Sequence, residues 1–217
     1  MRIPVELEEG YRRFRNDRYL DHARRFKELA KEQKPRTMVI ACADSRVDPA
    51  SIFAAAPGEL YVARNVAALV PPYEETGTCH GTSAALEFAV EELKVTSIVV
   101  MGHGSCGGIS AALAATEMRP VGRFIGPWVE LLSEVRDRLI ELSDACHPAD
   151  RQKALERIAV QQSLHNLTTF PFVARAMAAR RLQLHGAWFS IAEGELHWLD
   201  WDTGVFELIE ARDPVRA

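Results

Sequence analysis

Val95-Thr96-Ser97-Ile98-Val99-Val100-Met101 runs straight into Gly102-His103-Gly104-Ser105-Cys106-Gly107-Gly108. The first seven residues are a β-branched apolar run long enough for a fully buried strand. The glycine-rich loop lets the backbone turn tightly, and Ile109 to Ala115 beyond it reads as helix. Upstream, Gly77 to Gly81 is turn-like. Thr82 or Ser83 can cap a helix reaching about Lys94, with Ser83, Leu86, Val90 and Leu93 on one face. Two further apolar runs precede it. Thr37-Met38-Val39-Ile40 follows Pro35, and Leu60 to Asn65 is entered through Pro57-Gly58. A short helix joins them, with Asp48 as N-cap and Pro49 at its first position. This strand–helix–strand alternation predicts an α/β fold with a mostly parallel central β-sheet flanked by helices.

The ends of the chain extend that frame. Glu8 to Gln33 carries Tyr11, Phe14, Tyr19, Leu20, Phe26 and Leu29 at helical intervals among charges. It predicts one or two amphipathic helices forming an N-terminal arm over residues 1–34. From Arg123 to about Arg181 the chain reads as helices, broken near His147-Pro148 and at Pro171. His185 to Ile191 and Glu195 to Trp201 flank Ala192-Glu193-Gly194 and predict a C-terminal antiparallel strand pair at a sheet edge. No repeat, low-complexity tract or linker divides residues 1–217, so one domain is expected.

With 217 residues, 47% of them apolar, the chain can bury one good core. A net charge of −4 gives no case for a nucleic-acid or anionic-membrane partner. No apolar run has membrane-spanning length, and Met1-Arg2-Ile3-Pro4-Val5-Glu6 lacks the core of a signal peptide. Four cysteines without such a signal point to a reducing cytoplasm, with Cys79 and Cys146 as ordinary buried or half-buried thiols.

The chemistry gathers at two places. Ala41-Cys42-Ala43-Asp44-Ser45-Arg46 alternates a thiol, a carboxylate and a guanidinium just past an apolar run. If the chain stays extended, all three share one face at the carboxyl end of a strand, where open α/β sheets place their sites. A plainer reading is a buried Cys followed by a surface Asp–Arg pair. His103 and Cys106 also lie just past a strand. With Cys42 they make a Cys2His set, the ligand count of a catalytic zinc site with its fourth position open.

Three other readings use the same residues. Gly102-x-Gly104-x-x-Gly107 fits the dinucleotide fingerprint between a strand and a helix, but no acidic residue ends a following strand about twenty positions on. Gly104-x-Cys106-x-Gly108 has the form of a nucleophile elbow with Cys for Ser. A Cys106 thiol hydrolase would need a base among His147, His165, His185 and His197, and would leave Cys42, Asp44, Arg46 and His103 without a role. A structural zinc site in a binding module would be expected to have four ligands in local pairs.

The chain resembles the β-class carbonic anhydrases over about Gln33 to Leu199. The likeness rests on Cys42-Ala-Asp-Ser-Arg-Val47, Pro57-Gly58-Glu59, Arg64-Asn65-Val66-Ala67, Val70-Pro71-Pro72-Tyr73, Gly81-Thr82-Ser83-Ala84, the Gly102 to Gly108 loop, and Asn166 to Val173. The Pro-Pro-Tyr and Thr-Phe-Pro-Phe-Val segments resemble the plant-type branch.

This resemblance implies zinc held by Cys42, His103 and Cys106, with catalysis of the reversible hydration of carbon dioxide to bicarbonate and a proton. Asp44 would accept the hydrogen of the attacking hydroxide, and Arg46 would hold Asp44 off the metal. Gln33, Tyr61, Val66, Phe88 and Gly107 take the substrate-binding positions, in a pocket at a dimer interface. Tyr61 stands where Phe is usual, and Phe88 where plant forms have Tyr. An obligate homodimer or dimer of dimers is implied, the N-terminal arm embracing the partner. Two thiolates give the metal more charge than imidazoles, so a higher activity pKa is expected than with three His ligands. Relatives of this fold hydrolyse carbon disulfide or carbonyl sulfide, a second possible chemistry. One branch also closes its site through a bicarbonate pocket that uses a Trp three residues before the first Cys. Here that residue is Val39, beside a retained Arg64, so an open site without the switch is expected.

Overall fold

The computed structural model describes residues 3–76, 81–115, 121–142 and 147–210, so the readings of Cys79, Cys146 and most of the 77–81 turn lie outside the described residues. Strands β1 (Thr37–Cys42) and β3 (Ser97–His103) are buried at every position after the first. Such runs without polar alternation suit parallel strands covered on both faces. In β1, Met38 and Ile40 face one core with Ile98, Val100, Leu164 and Leu167, while Val39 and Ala41 face another with Val99, Met101 and Ala187. Each large apolar side chain buried this way contributes about 2 kcal/mol.

Among the described residues, six strands form one sheet in the order β2-β1-β3-β4-β5-β6. Strand β2 (Leu60–Asn65) pairs parallel with β1, β1 with β3, and β3 with β4 (Gln183–Ser190). Strands β5 (Glu195–Leu199) and β6 (Phe206–Leu208) add antiparallel pairs. The chain moves from β1 outward to β2, then returns to the other side of β1 as β3. The connections after β1 and β3 therefore diverge, and a crevice opens at the carboxyl ends of these neighbours. Cys42 ends β1 and His103 ends β3.

Helices cover the sheet. Between the first strands is α4 (Pro49–Ile52), preceded by three N-terminal helices, and Asp48 caps it by accepting Ser51 N–H at 2.9 Å. Helix α5 (Gly81–Glu87) continues as a π turn over Phe88–Glu92. Then come α6 (Gly107–Ala114), α7 (Ile125–Val129), α8 (Ser133–Leu142), α9 (Pro148–Thr169) and α10 (Pro171–Ala178). The breaks before Pro148 and Pro171 fall where the sequence placed them. Helix α9 packs on β3 and β4 through a stripe at three- and four-residue spacing that includes Leu155, Ala159, Val160, Leu164 and Leu167.

Three details differ from the sequence reading. The N-terminal region forms three helices, α1 (Val5–Asn16), α2 (Arg18–Asp21) and α3 (Ala23–Leu29), because Asp17 and His22 leave helical angles. Their rings cluster, Phe14 lying 6.1 Å from Tyr19 and 5.8 Å from Phe26, and none of their residues is fully buried. The C-terminal strand pair is not at the edge: β4 pairs with β3 on its other side, and β6 forms the edge. With three residues and only Phe206 buried, β6 left no periodic signal. Thr82 lies inside the first turn of α5, and its Oγ1 accepts from Asn65 Nδ2 at 3.1 Å.

Candidate metal centre

Two strand ends and one helix start bring the three candidate ligands together. Cys42 closes β1, His103 closes β3, and Cys106 is the residue before α6. Ser105 makes the turn between the last two in the left-handed region, at φ 56°. The sulfur of each Cys and a ring nitrogen of His103 lie within 4.8 Å of one another, and all three side chains are buried. In tetrahedral zinc coordination, with sulfur at about 2.3 Å, two thiolates stand about 3.8 Å apart. The Cys42 and Cys106 sulfurs are 4.0 Å apart.

The imidazole is already oriented. Its Nδ1 lies 2.9 Å from the Gly104 carbonyl oxygen, which can only accept, so Nδ1 carries the hydrogen and Nε2 presents its lone pair. Nε2 is buried with no hydrogen-bond partner among the described residues. A buried acceptor left unpaired is costly, and a metal ion is the partner that the two neighbouring thiols imply. The two sulfurs share one contact in which either thiol can donate, and that contact with Cys106 holds Cys42 below the ordinary thiol range. The same contact, then burial, pushes Cys106 up. Among the described residues, the groups gathered at the Cys106 sulfur are Cys42 and His103, and none of His147, His165, His185 and His197 belongs to that cluster, which argues against the thiol-hydrolase reading.

Asp44 borders the cluster, its Oδ2 4.0 Å from His103 Nε2. Arg46 grips it in a fork: Nε donates to Oδ1 at 2.9 Å and Nη2 to Oδ2 at 2.7 Å, while the Arg46 backbone N–H adds 2.9 Å to Oδ1. These bonds hold the Asp44 carboxyl well below the usual carboxylate range. Arg46 also donates to the Ser105 carbonyl at 3.2 Å, tying the two ligand loops together. Arg64 fixes the first loop by donating to Cys42 O at 2.9 Å and Asp44 O at 2.6 Å. Because Asp44 is engaged, the described residues offer three ligands and no fourth, unlike a closed structural site. The dinucleotide reading also fails here, since Cys106 N–H, a donor that a phosphate would need, goes to Glu156 Oε1 at 3.1 Å.

The five expected substrate positions divide. Val66 follows β2 beside α6, where a side chain at Gly108 would meet Val66 Cγ1 at 2.7 Å, and Gly107 is exposed at the start of α6. Gln33, Tyr61 and Phe88 are not brought to the cluster within one chain. Tyr61 pairs with Met38, four residues short of the Cys42–Asn65 pair, or about 13 Å along the strand. Phe88 lies 6.0 Å from Tyr61 and is 43% exposed; Gln33 precedes β1 at its amino end and is exposed. Sequence reasoning passed over Glu156, although a carboxylate within the apolar stripe of α9 was a usable signal.

Residues 37–196 match the family model described as carbonic anhydrase. A curated relative, β carbonic anhydrase 5 of Arabidopsis thaliana, a chloroplastic protein, is 33% identical over 87% of this chain, and the chain spans 62% of its length. The solved β-carbonic anhydrase CcaA superposes with a TM-score of 0.83 at 29% identity, over 94% of this chain and 98% of that one. A structure described among two tetrameric β-carbonic anhydrases of Sordaria macrospora gives 0.74 at 31% identity, over 89% and 92%. No described helix is long and apolar enough to cross a membrane. On the family match and these relatives, the chain belongs to the carbonic anhydrase family, in its β class.

Proposed function

We propose that the protein interconverts carbon dioxide and bicarbonate, with Cys42, His103 and Cys106 as the protein ligands of one zinc ion. The observation that carries this reading is the buried Cys2His cluster, whose unpartnered His103 Nε2 faces two thiols. Zinc held there supplies the Lewis acidity that makes water a nucleophile at neutral pH. The chain's own residues supply orientation. Asp44, kept ionised by Arg46, accepts the hydrogen of the attacking water and so aims an oxygen lone pair at the carbon. Arg46 keeps that carboxylate from turning into the ligand cluster. Val66 offers apolar surface to carbon dioxide, and Gly107 leaves room beside it. The products are bicarbonate and a proton.

Gln33, Tyr61 and Phe88 serve the site of a second copy in this proposal, in a homodimer or dimer of dimers. What supports this is that Gln33 and Phe88 are exposed and Tyr61 is half-buried on the β2 edge, all of them away from their own chain's cluster. Helices α1–α3 lie over the same end of the chain and present Val5, Leu7, Tyr11 and Leu20 to solvent. A reducing cytoplasm suits the two free thiols of the site.

Metal analysis and stopped-flow carbon dioxide hydration test the proposal. One zinc per chain and activity lost on chelation are expected, and Cys106→Ser should empty the site. Activity in the metal-free protein, or stoichiometric zinc in Cys106→Ser, would overturn the assignment.

A further inference from the structure

Glu156 sits in the middle of α9, on the stripe that otherwise buries Leu155, Ala159, Val160 and Leu164, and is itself 3% exposed. A carboxylate in such a place is costly unless its oxygens are paired. Both are. Oε1 accepts from the Cys106 backbone N–H at 3.1 Å and from Gln152 Nε2 at 3.1 Å. Oε2 accepts from Trp188 Nε1 at 3.2 Å. Trp188 lies on β4 opposite Gly102, with Arg157 4.7 Å and Lys153 5.3 Å from its ring centre. Ser110 Oγ closes the network, 2.9 Å from Gln152 Oε1 and 3.2 Å from the Cys106 carbonyl oxygen.

The Cys106 peptide is therefore held at both ends. Its N–H precedes α6 and has no place in that helix's own hydrogen-bond ladder, so it depends on an outside acceptor. An apolar residue at position 156 would fill the same core, yet would leave Cys106 N–H and Trp188 Nε1 unpaired. We propose that Glu156 is a positioning residue for the metal centre, fixing the Cys106 peptide and through it the direction of the Cys106 sulfur. Trp188 holds Oε2 so that the carboxylate cannot turn away. The proposal rests on Cys106 being a zinc ligand, as proposed above.

The test uses the full chain carrying Glu156→Ala, Glu156→Gln or Trp188→Phe. Zinc affinity is measured by competition with a chromophoric chelator, and the cobalt-substituted proteins are examined by absorption for their thiolate and d–d bands. Glu156→Ala should weaken zinc about 10–100-fold and change the cobalt spectrum, the usual scale for losing an outer partner of a ligand. Glu156→Gln should recover part of the affinity, because its amide oxygen can still take Cys106 N–H. Trp188→Phe should shift both readouts in the same direction as Glu156→Ala, by less. If Glu156→Ala does not fold, the other two variants carry the test. Zinc affinities and cobalt spectra equal to those of the unaltered protein, with only thermal stability reduced, would overturn the proposal and leave Glu156 a packing residue. Failure of the unaltered protein to bind zinc would instead remove the ligand reading beneath it, a result read before any variant is made.

Discussion

Arg46 donates three hydrogen bonds to Asp44 and a fourth to Ser105 O, so carboxylate, guanidinium and both ligand loops form one unit. Residues acting as a unit give non-additive losses. Arg46→Ala should lower carbon dioxide hydration about as much as Asp44→Ala, by about 10–100-fold, and the double variant by little more. A double-mutant cycle by stopped flow checks this, and strictly additive losses would dissolve the unit. The same contacts make a statement about pH. Hydrogen bonds from Arg46 depress the folded Asp44 carboxyl below its ordinary 3.8, so its contribution to stability is complete above that value. It is lost only as the pH falls through the depressed folded value. In the metal-free protein, Asp44→Asn should therefore lower the urea midpoint at pH 7, and the gap from the unaltered chain should narrow in strong acid.

At the scale of elements, the start of α6 shows why adjacent glycines differ. A side chain at Gly108 would meet Val66 Cγ1 at 2.7 Å and Ala67 Cβ at 2.9 Å, whereas no described residue lies within 4 Å of one at Gly107. Gly108→Ala should cost about 1–3 kcal/mol by overpacking. Gly107→Ala should leave thermal unfolding nearly unchanged, and calorimetry on the two variants separates them. The β1–α4 connection bears on regulation. Val39 is 1% exposed within the sheet core, and Arg64 is already committed to two backbone carbonyls. That leaves neither a wall nor a free guanidinium for a bicarbonate pocket, so Asp44 should stay on Arg46 in a crystal grown near pH 7 and soaked in bicarbonate. Asp44 on the metal with bicarbonate beside Arg64 would sink this expectation.

For the whole molecule, the separation of Gln33, Tyr61 and Phe88 from the cluster yields a complementation test. Across a two-fold axis, each site would take its metal ligands from one chain and Gln33 from the other. Cys42→Ser and Gln33→Ala proteins should each be impaired. After refolding together, half of the dimers are mixed and one site in each mixed dimer is intact. About a quarter of the original activity should therefore return. No recovery in a mixture shown to exchange subunits would place Gln33 outside its neighbour's site.

The sequence by itself determined the parallel core, because the apolar runs of β1 and β3 suit strands covered on both faces and alternate with helical segments. It also pointed to Cys42, His103 and Cys106 as candidate ligands and to the Asp44–Arg46 pair, since Cys42, Asp44 and Arg46 are near in the chain and His103 and Cys106 share one loop. Short-range chemistry is legible from spacing. The tertiary structure alone decided what depends on distant segments meeting. Strand order put the ends of β1 and β3 side by side, which brought Cys42 within 4.0 Å of Cys106 across 64 positions. It placed Glu156 beneath the Cys106 peptide from a helix 50 residues later. It also set Tyr61 four residues along the strand from the Cys42 pair, with Phe88 beside it. No local propensity encodes these meetings, because each depends on how whole elements pack.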